Sequence, residues 1–374
     1  MPSAYRPICD AVAQNDLGLL RQEIERNPNG ATGHWKPLVD AAFLGRRECV
    51  QILLEFGTDP NIRGGGRTSH TALTRICQPH KTISRNSDHA EIIKMLLDAG
   101  ADPLIAGGHD ELFPLFAAYM GSNPDLIEAL EQPTLTEFIK REEHQELFVY
   151  AVQYALPELQ KYPGSTISSL RDQSGRNVMH YVALSSRYQT REKDASVQCA
   201  RFLCEEVGMD PGEAQLIPEG DEVFMATPLW WTLSRQQNYA LARYFLDLGV
   251  DPTPCVFMVS FSGDQEAIEL LDAYSPDWNH RFEGKTSLME LVIYNRTRLI
   301  PWLIEHGADV SLGDNNGRTL LHHAVLRGIK TDWIELFIKH GCDPDKTDDA
   351  GQTALDLAYQ KNRKKAIEFL TLRS

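Results

Sequence analysis

The sequence holds no run of the roughly 18–20 apolar residues that a bilayer-spanning helix requires, so no membrane segment is expected. Residues 1–10 lack a basic stretch followed by an apolar core, which excludes a cleaved secretory leader of the usual kind. Cysteine is sparse. The seven present (Cys9, Cys49, Cys77, Cys199, Cys204, Cys255 and Cys342) are odd in number and dispersed, unlike a disulfide framework. Cys199 and Cys204 lie five apart with no His pair nearby, which is poor spacing for zinc. Positive charge is also short: 37 Lys and Arg stand against 52 Asp and Glu, a net charge of −15. This argues against a sequence-independent nucleic-acid binder, which needs basic surface to displace counterions from phosphates. It permits a basic protein partner, and it keeps an extended molecule soluble. The expectation is a cytoplasmic protein with neither nucleic acid nor membrane as partner; delivery into a host cell without an N-terminal signal remains open.

What the sequence has is periodicity. At 374 residues it exceeds the size at which one core keeps growing, so several domains or a repeat array are expected. Gly317-Arg318-Thr319-Leu320-Leu321-His322 aligns with Gly351-Gln352-Thr353-Ala354-Leu355-Asp356 at an offset of 34 residues. Weaker cousins are Gly284-Lys285-Thr286-Ser287-Leu288, Ala226-Thr227-Pro228-Leu229, Gly175-Arg176-Asn177-Val178, Thr71-Ala72-Leu73 and Lys36-Pro37-Leu38. A second marker, Gly-x-Asp-Pro or close to it, begins at Gly57, Gly100, Gly208, Gly249, Gly307 and Gly341. Thr can cap a first helix and Pro fits its first turn, where no N–H is needed. Gly supplies the left-handed residue that ends the second helix, and Asp-Pro then starts an extended turn.

These markers resemble the ankyrin repeat, with its period of about 33 residues and its Thr-Pro-Leu-His-x-Ala helix start. The resemblance implies an all-α solenoid of about eleven helix-turn-helix units with short β-hairpin fingers, spanning 1–374 as one domain. Within it, 1–30 is read as an N-terminal cap, 31–106 as regular repeats and 107–168 as degenerate ones split at 134/135. Residues 169–254 carry insertions, 255–281 is degenerate, 282–347 is regular and 348–374 is a C-terminal cap. Polar end faces are what a complete solenoid needs, so the array is expected to be complete within the chain. The insertions Gln78–Asp88, Ser185–Ser196 and Gly212–Met225 interrupt the period.

Little in the sequence points to chemistry. His322, His323, His340 and Cys342 form the best metal candidate, but His322 and His180 sit where the family places a structural histidine. Gly64-Gly65-Gly66-Arg67-Thr68 is glycine-rich but lacks the Lys-Ser/Thr ending of a phosphate loop. No catalytic residue, metal or cofactor is expected. Trp230 and Trp231 are adjacent and point about 100° apart on a helix, one toward the core and one toward the groove.

The resemblance implies a concave partner face built from finger tips and first-helix ends. Carried over position by position, it assigns Trp35, Arg176, Phe224 and Arg318 to the fingers. It assigns Phe43, Leu44, Arg235, Tyr294 and Arg327 to the helix ends. Trp35, Phe43 and Leu44 read as one exposed apolar patch, and such patches mark contacts; cover by the chain itself is the alternative. From Phe202 to Ser234 there are seven acidic residues and no Lys or Arg, and Glu219, Asp221 and Glu222 lie in the lengthened finger. The expected function is therefore a monomeric, non-catalytic protein-binding module: an adaptor, an inhibitor, or a toxin-neutralising or effector protein. A self-associating structural solenoid is the alternative, ahead of an enzyme or metal protein.

Overall fold

Threonine turns extended chain into helix at several places in the computed structural model. The Thr71 hydroxyl accepts from the Thr74 N–H at 3.1 Å, Thr227 from Trp230 at 3.2 Å and Thr353 from Asp356 at 3.2 Å. Each satisfies one of the N–H groups that a helix leaves unpaired at its start. The structure describes residues 5–64, 69–78, 87–108, 111–184, 195–219 and 222–372; at 87, 218, 219, 222, 235 and 236 it describes the backbone alone. These form two compact units, Met1–Asp210 and Pro211–Ser374.

The first unit stacks helix pairs. They run from Arg6–Gln14 with Leu17–Arg26 and Lys36–Phe43 with Arg47–Glu55 to Ala72–Cys77 with Ser87–Asp98 and Pro114–Met120 with Pro124–Arg141. Glu146–Val152 follows with the short Leu156–Leu159 and Gly164–Ser169, then Val178–Leu184 with Ala195–Glu205. The second unit opens on an antiparallel hairpin, Gln215–Glu219 with Glu222–Ala226, in which Leu216 faces Met225 and Ile217 faces Phe224. Pro228–Trp231 then continues as a single π turn through Gln236 and packs on Tyr239–Asp247. Val256–Ser262 with Gln265–Asp272, Ser287–Ile293 with Ile300–Glu305, Leu320–Arg327 with Thr331–Lys339 and Ala354–Gln360 with Lys364–Thr371 complete it. The fold is an all-α repeat fold with short hairpins. Among the described residues, no helix is long and apolar enough to cross a membrane.

The glycine of every Gly-x-Asp marker adopts the left-handed conformation, from φ 78° at Gly208 to φ 102° at Gly341. Only glycine enters that region without a Cβ penalty. The Asp then closes a tight turn: Asp59 accepts from the Asn61 N–H at 2.8 Å, Asp102 from Leu104 at 2.8 Å and Asp309 from Ser311 at 2.8 Å. The recurring carboxylates are turn anchors. The repeat 255–281 has a disguised marker, because Ser275 takes the left-handed position at φ 52° and Asp277 accepts from the Asn279 N–H at 2.9 Å.

One boundary is corrected. The division at 134/135 falls inside the helix Pro124–Arg141, which runs through Pro133 without a finger. The apolar face of that helix outweighs the hydrogen bond that proline cannot donate: Leu126, Leu130 and Phe138 are fully buried or nearly so. Most of two insertions, residues 79–86 and 185–194, lies outside the described residues. The third is the hairpin 215–226.

Candidate partner-binding surface

The fingers are built on one local sequence, Asp-x-x-Gly-x, at Asp172–Arg176, Asp314–Arg318 and Asp348–Gln352. One carboxylate oxygen (Oδ1) of each Asp accepts two backbone N–H groups of its own turn. The donors are Ser174 and Arg176 at 2.8 Å, Asn316 and Arg318 at 2.8 and 2.9 Å, and Ala350 and Gln352 at 3.0 Å. The other oxygen is spoken for differently in each. Asp172 takes the Arg176 Nε at 2.7 Å and the Tyr181 hydroxyl at 2.7 Å. Asp314 meets His323 Nε2 at 3.0 Å, and Asp348 meets the Arg318 Nε at 3.3 Å. Nine residues after the Asp stand Tyr181, His323 and Leu357 in turn. Where that side chain cannot donate, as at Leu357, the preceding finger's arginine does.

This geometry removes Arg176 from the partner face. Its side chain is 1% exposed, paired with Asp172 and donating to the Glu111 carbonyl at 3.0 Å. A buried guanidinium needs its carboxylate, and Tyr181 completes the pocket. Arg318 is a half-exposed interfinger ion pair, 37% accessible. Structural histidines behave as expected: His322 Nε2 lies 2.9 Å from the Gln352 carbonyl and its Nδ1 2.8 Å from the Thr319 hydroxyl. His180 Nδ1 is 2.7 Å from Asn177 Oδ1.

Trp35 and Phe43 are not the open patch expected. The Trp35 indole lies where a Cβ on Gly64 would stand, which explains a glycine there, and the Arg75 guanidinium sits 4.1 Å above the Phe43 ring. The following repeat packs against both and leaves them half-buried, while Leu44 is exposed at 36%. In the second unit a longer row of rings is half-buried in the same way and ends on an exposed one. Phe224 stands 5.2 Å from Trp230 and 5.3 Å from Phe282; Phe282 is 6.0 Å from Phe257. Phe257 is 6.3 Å from Phe261, which is 5.4 Å from Tyr294. Trp231 is buried and Trp230 half-buried, the division expected of the adjacent pair. Tyr294 is 60% exposed, and the other rings of the row are half-buried. Beside the row the hairpin turns Leu216, Val223 and Met225 outward, each more than half exposed. Asp221 and the side chains of Glu219, Glu222 and Arg235 lie outside the described residues. Arg327 is exposed at the far end of Leu320–Arg327.

Phe257, Phe261 and Phe282 were not singled out by sequence. The usable signal was the i, i+4 pair Phe257 and Phe261 in a unit whose weak markers drew attention away. Also unread was Asn two places after the turn Asp. Asn61 donates to the Gly100 carbonyl at 2.9 Å and accepts from the Asp102 N–H at 2.7 Å. Asn279 does the same with Gly307 and Asp309, at 3.0 and 2.7 Å.

Cys9 and Cys199 are buried and are not activated as nucleophiles. Burial pushes the Cys9 thiol up to about 12, with Asp40 adding to it, and burial does the same at Cys199. The proposed metal set is engaged otherwise, His322 with Thr319 and Gln352 and His323 with Asp314. Among the described residues, no group of three or more His, Cys, Asp or Glu could hold a metal ion.

The family model for ankyrin repeats (3 copies) matches residues 255–348 and, overlapping them, 288–373; the single-repeat model matches 34–65. These segments of the chain are ankyrin repeats. The matched segments hold the Thr319 and Thr353 helix starts and the Gly57, Gly307 and Gly341 turns, so the ankyrin markers and the geometry coincide there. A search of curated proteins finds no match. Ankyrin repeats are generally protein–protein interaction modules.

Proposed function

We propose that this ankyrin-repeat chain is a monomeric, non-catalytic module that binds a protein partner on the finger and first-helix face of its second unit. The observation that carries the reading is the row Phe224, Trp230, Phe282, Phe257, Phe261 and Tyr294. Successive repeats contribute rings that meet mostly edge-on or tilted, with Tyr294 60% exposed and the others half-buried. Interfaces draw most of their energy from such aromatic anchors. A basic partner is favoured by the acidic window 202–234 beside the hairpin. The reading takes the chain as one array of eleven repeats, supported by the succession of helix pairs in each unit.

The test is a partner fished with the wild-type protein and then measured against Phe224→Ala, Tyr294→Ala and the double variant. Truncating both rings should weaken binding by roughly 2–4 kcal/mol, the range of interface hot spots. Unchanged affinity in the double variant, with an unchanged melting curve, would sink this face. Replacing Glu219, Asp221 and Glu222 by Gln or Asn should lower the association rate more than it raises dissociation. An equal association rate would remove the basic partner from the reading.

A further inference from the structure

A second surface has the opposite charge from the chain as a whole. It lies at the other end of the first helices from the fingers, where each first helix hands over to its partner. In the last three repeats these turns are residues 294–299, 326–332 and 360–366, and together they hold eight Lys and Arg against one carboxylate, Asp332. Two of the eight have structural work. Arg296 donates to the Phe261 carbonyl at 2.6 Å and Arg363 to the Leu326 carbonyl at 3.2 Å, each tying a turn to the end of the preceding first helix. The other six, Arg298, Arg327, Lys330, Lys361, Lys364 and Lys365, are exposed and make no ion pair among the described residues.

Cations left unpaired in a chain carrying a net −15 are not explained by solubility, because lysine-to-glutamate changes would leave the fold's contacts intact and make the net charge more negative still. Between the last two turns lies a recess of about 540 Å³. Its apolar lining is Ala324, Val325, Ile329 and Ala366, and its polar lining sets Lys330, Arg363, Lys364 and Lys365 against the single carboxylate Asp332.

We propose that this turn edge docks an acidic peptide segment of a partner protein, one apolar side chain entering the recess while flanking carboxylates meet the lysines. An apolar lining beside an excess of cations suits a peptide carrying both features. The recess has no aromatic side chain on which a base could stack, and the acidic remainder of the chain repels an extended polyanion. The recess between the last two turns contains no residue of the aromatic row, so the proposal does not depend on that row.

The test uses the full chain and a labelled peptide with one leucine flanked by glutamates, read by fluorescence anisotropy. Binding should weaken as salt rises. Lys364→Glu with Lys365→Glu should weaken it by roughly tenfold or more, since like charge then faces the peptide. Lys140→Glu with Lys161→Glu, an equal change in net charge on the first unit, should leave it unchanged. Ile329→Ser should weaken binding without altering the salt dependence. No saturable binding at low salt, or equal loss in both double variants, would overturn the proposal. So would tighter binding to phosphatidylserine vesicles or to a single-stranded oligonucleotide than to the peptide.

Discussion

Between residues 113 and 181 the repeats are held by rings, and between 314 and 356 by a polar lattice. In the first stretch Phe138 packs on Phe113 at 5.4 Å and on Phe116 at 6.4 Å, while Tyr181 takes Phe116 at 4.5 Å and Phe148 at 4.2 Å. It has polar contacts too: Glu131 accepts from the Tyr119 hydroxyl and from Gln153 Nε2, each at 2.6 Å, and the pair Asp172 with Arg176 is shut inside. In the second stretch each finger reaches the next by Arg318 to Asp348, His322 to the Gln352 carbonyl, and the Asp349 N–H to the Asn316 carbonyl at 3.0 Å. The consensus markers are thus one way of joining repeats, and where they fade aromatic packing takes over. Aromatic pairs contribute roughly 0.5–1.5 kcal/mol each beyond the area they bury. Neutral hydrogen bonds contribute about 1 kcal/mol net.

The comparison breaks most sharply at the buried pair. Asp172→Ala strands Arg176 and should cost about 3–5 kcal/mol, the penalty for an uncompensated buried charge. Urea unfolding followed in the first unit would measure it, and a loss below 1 kcal/mol would show that water reaches the guanidinium. His322→Ala removes the interfinger bond while the Gln352 carbonyl keeps the Asp348 N–H at 2.9 Å, an expected loss of about 0.5–1.5 kcal/mol. Because repeats interact with their neighbours, faster hydrogen exchange should stay within residues 314–372. Thr353→Ala removes a helix cap and should cost about 1 kcal/mol, read as a lower melting temperature of the last repeat.

The smallest change sharpens the contrast in pH. Burial holds His323 below the usual histidine value of 6.5; Asp314 pulls the other way, and Arg318 and His322 add slightly to the lowering. The unfolded chain therefore binds the proton more readily than the folded one. The stability from this group is full above about 6.5 and is lost as the pH falls through the lowered folded value. His323→Tyr copies the Tyr181 arrangement and should change stability at neutral pH by about 1 kcal/mol or less. It should also flatten the dependence of the 314–347 repeat between neutral and mildly acid pH, followed by hydrogen exchange. A slope as steep as the parent's would assign that dependence to another group.

Legibility followed the backbone. Gly57 or Gly341 can be read because a left-handed residue has few substitutes, and Thr71 or Thr353 because a cap needs a short side chain with an acceptor. Side-chain destinations were harder. Arg176 and Arg318 occupy the same place in the same pentapeptide, yet one is buried and the other half-exposed. The residue that separates them, Tyr181 against His323, lies nine positions on and meets the Asp only after the first helix has formed. Trp35 illustrates the same limit: its cover depends on Gly64, a residue in the next finger. The division at 134/135 missed a continuous helix because the stretch lacks both markers, and the burial of Leu126, Leu130 and Phe138 that holds the helix together is not visible in them.

The two oxygens of the finger aspartate have unequal independence. Oδ1 closes its own turn using only residues of the same finger, while Oδ2 alone negotiates with what lies beyond. A unit built this way carries its folding instructions with it. It can be copied, dropped or lengthened during gene duplication, and what must then be remade is the Oδ2 contact and the few bonds from finger to finger. The uneven lengths of the units in this chain are what such a history of cutting and rejoining would leave behind.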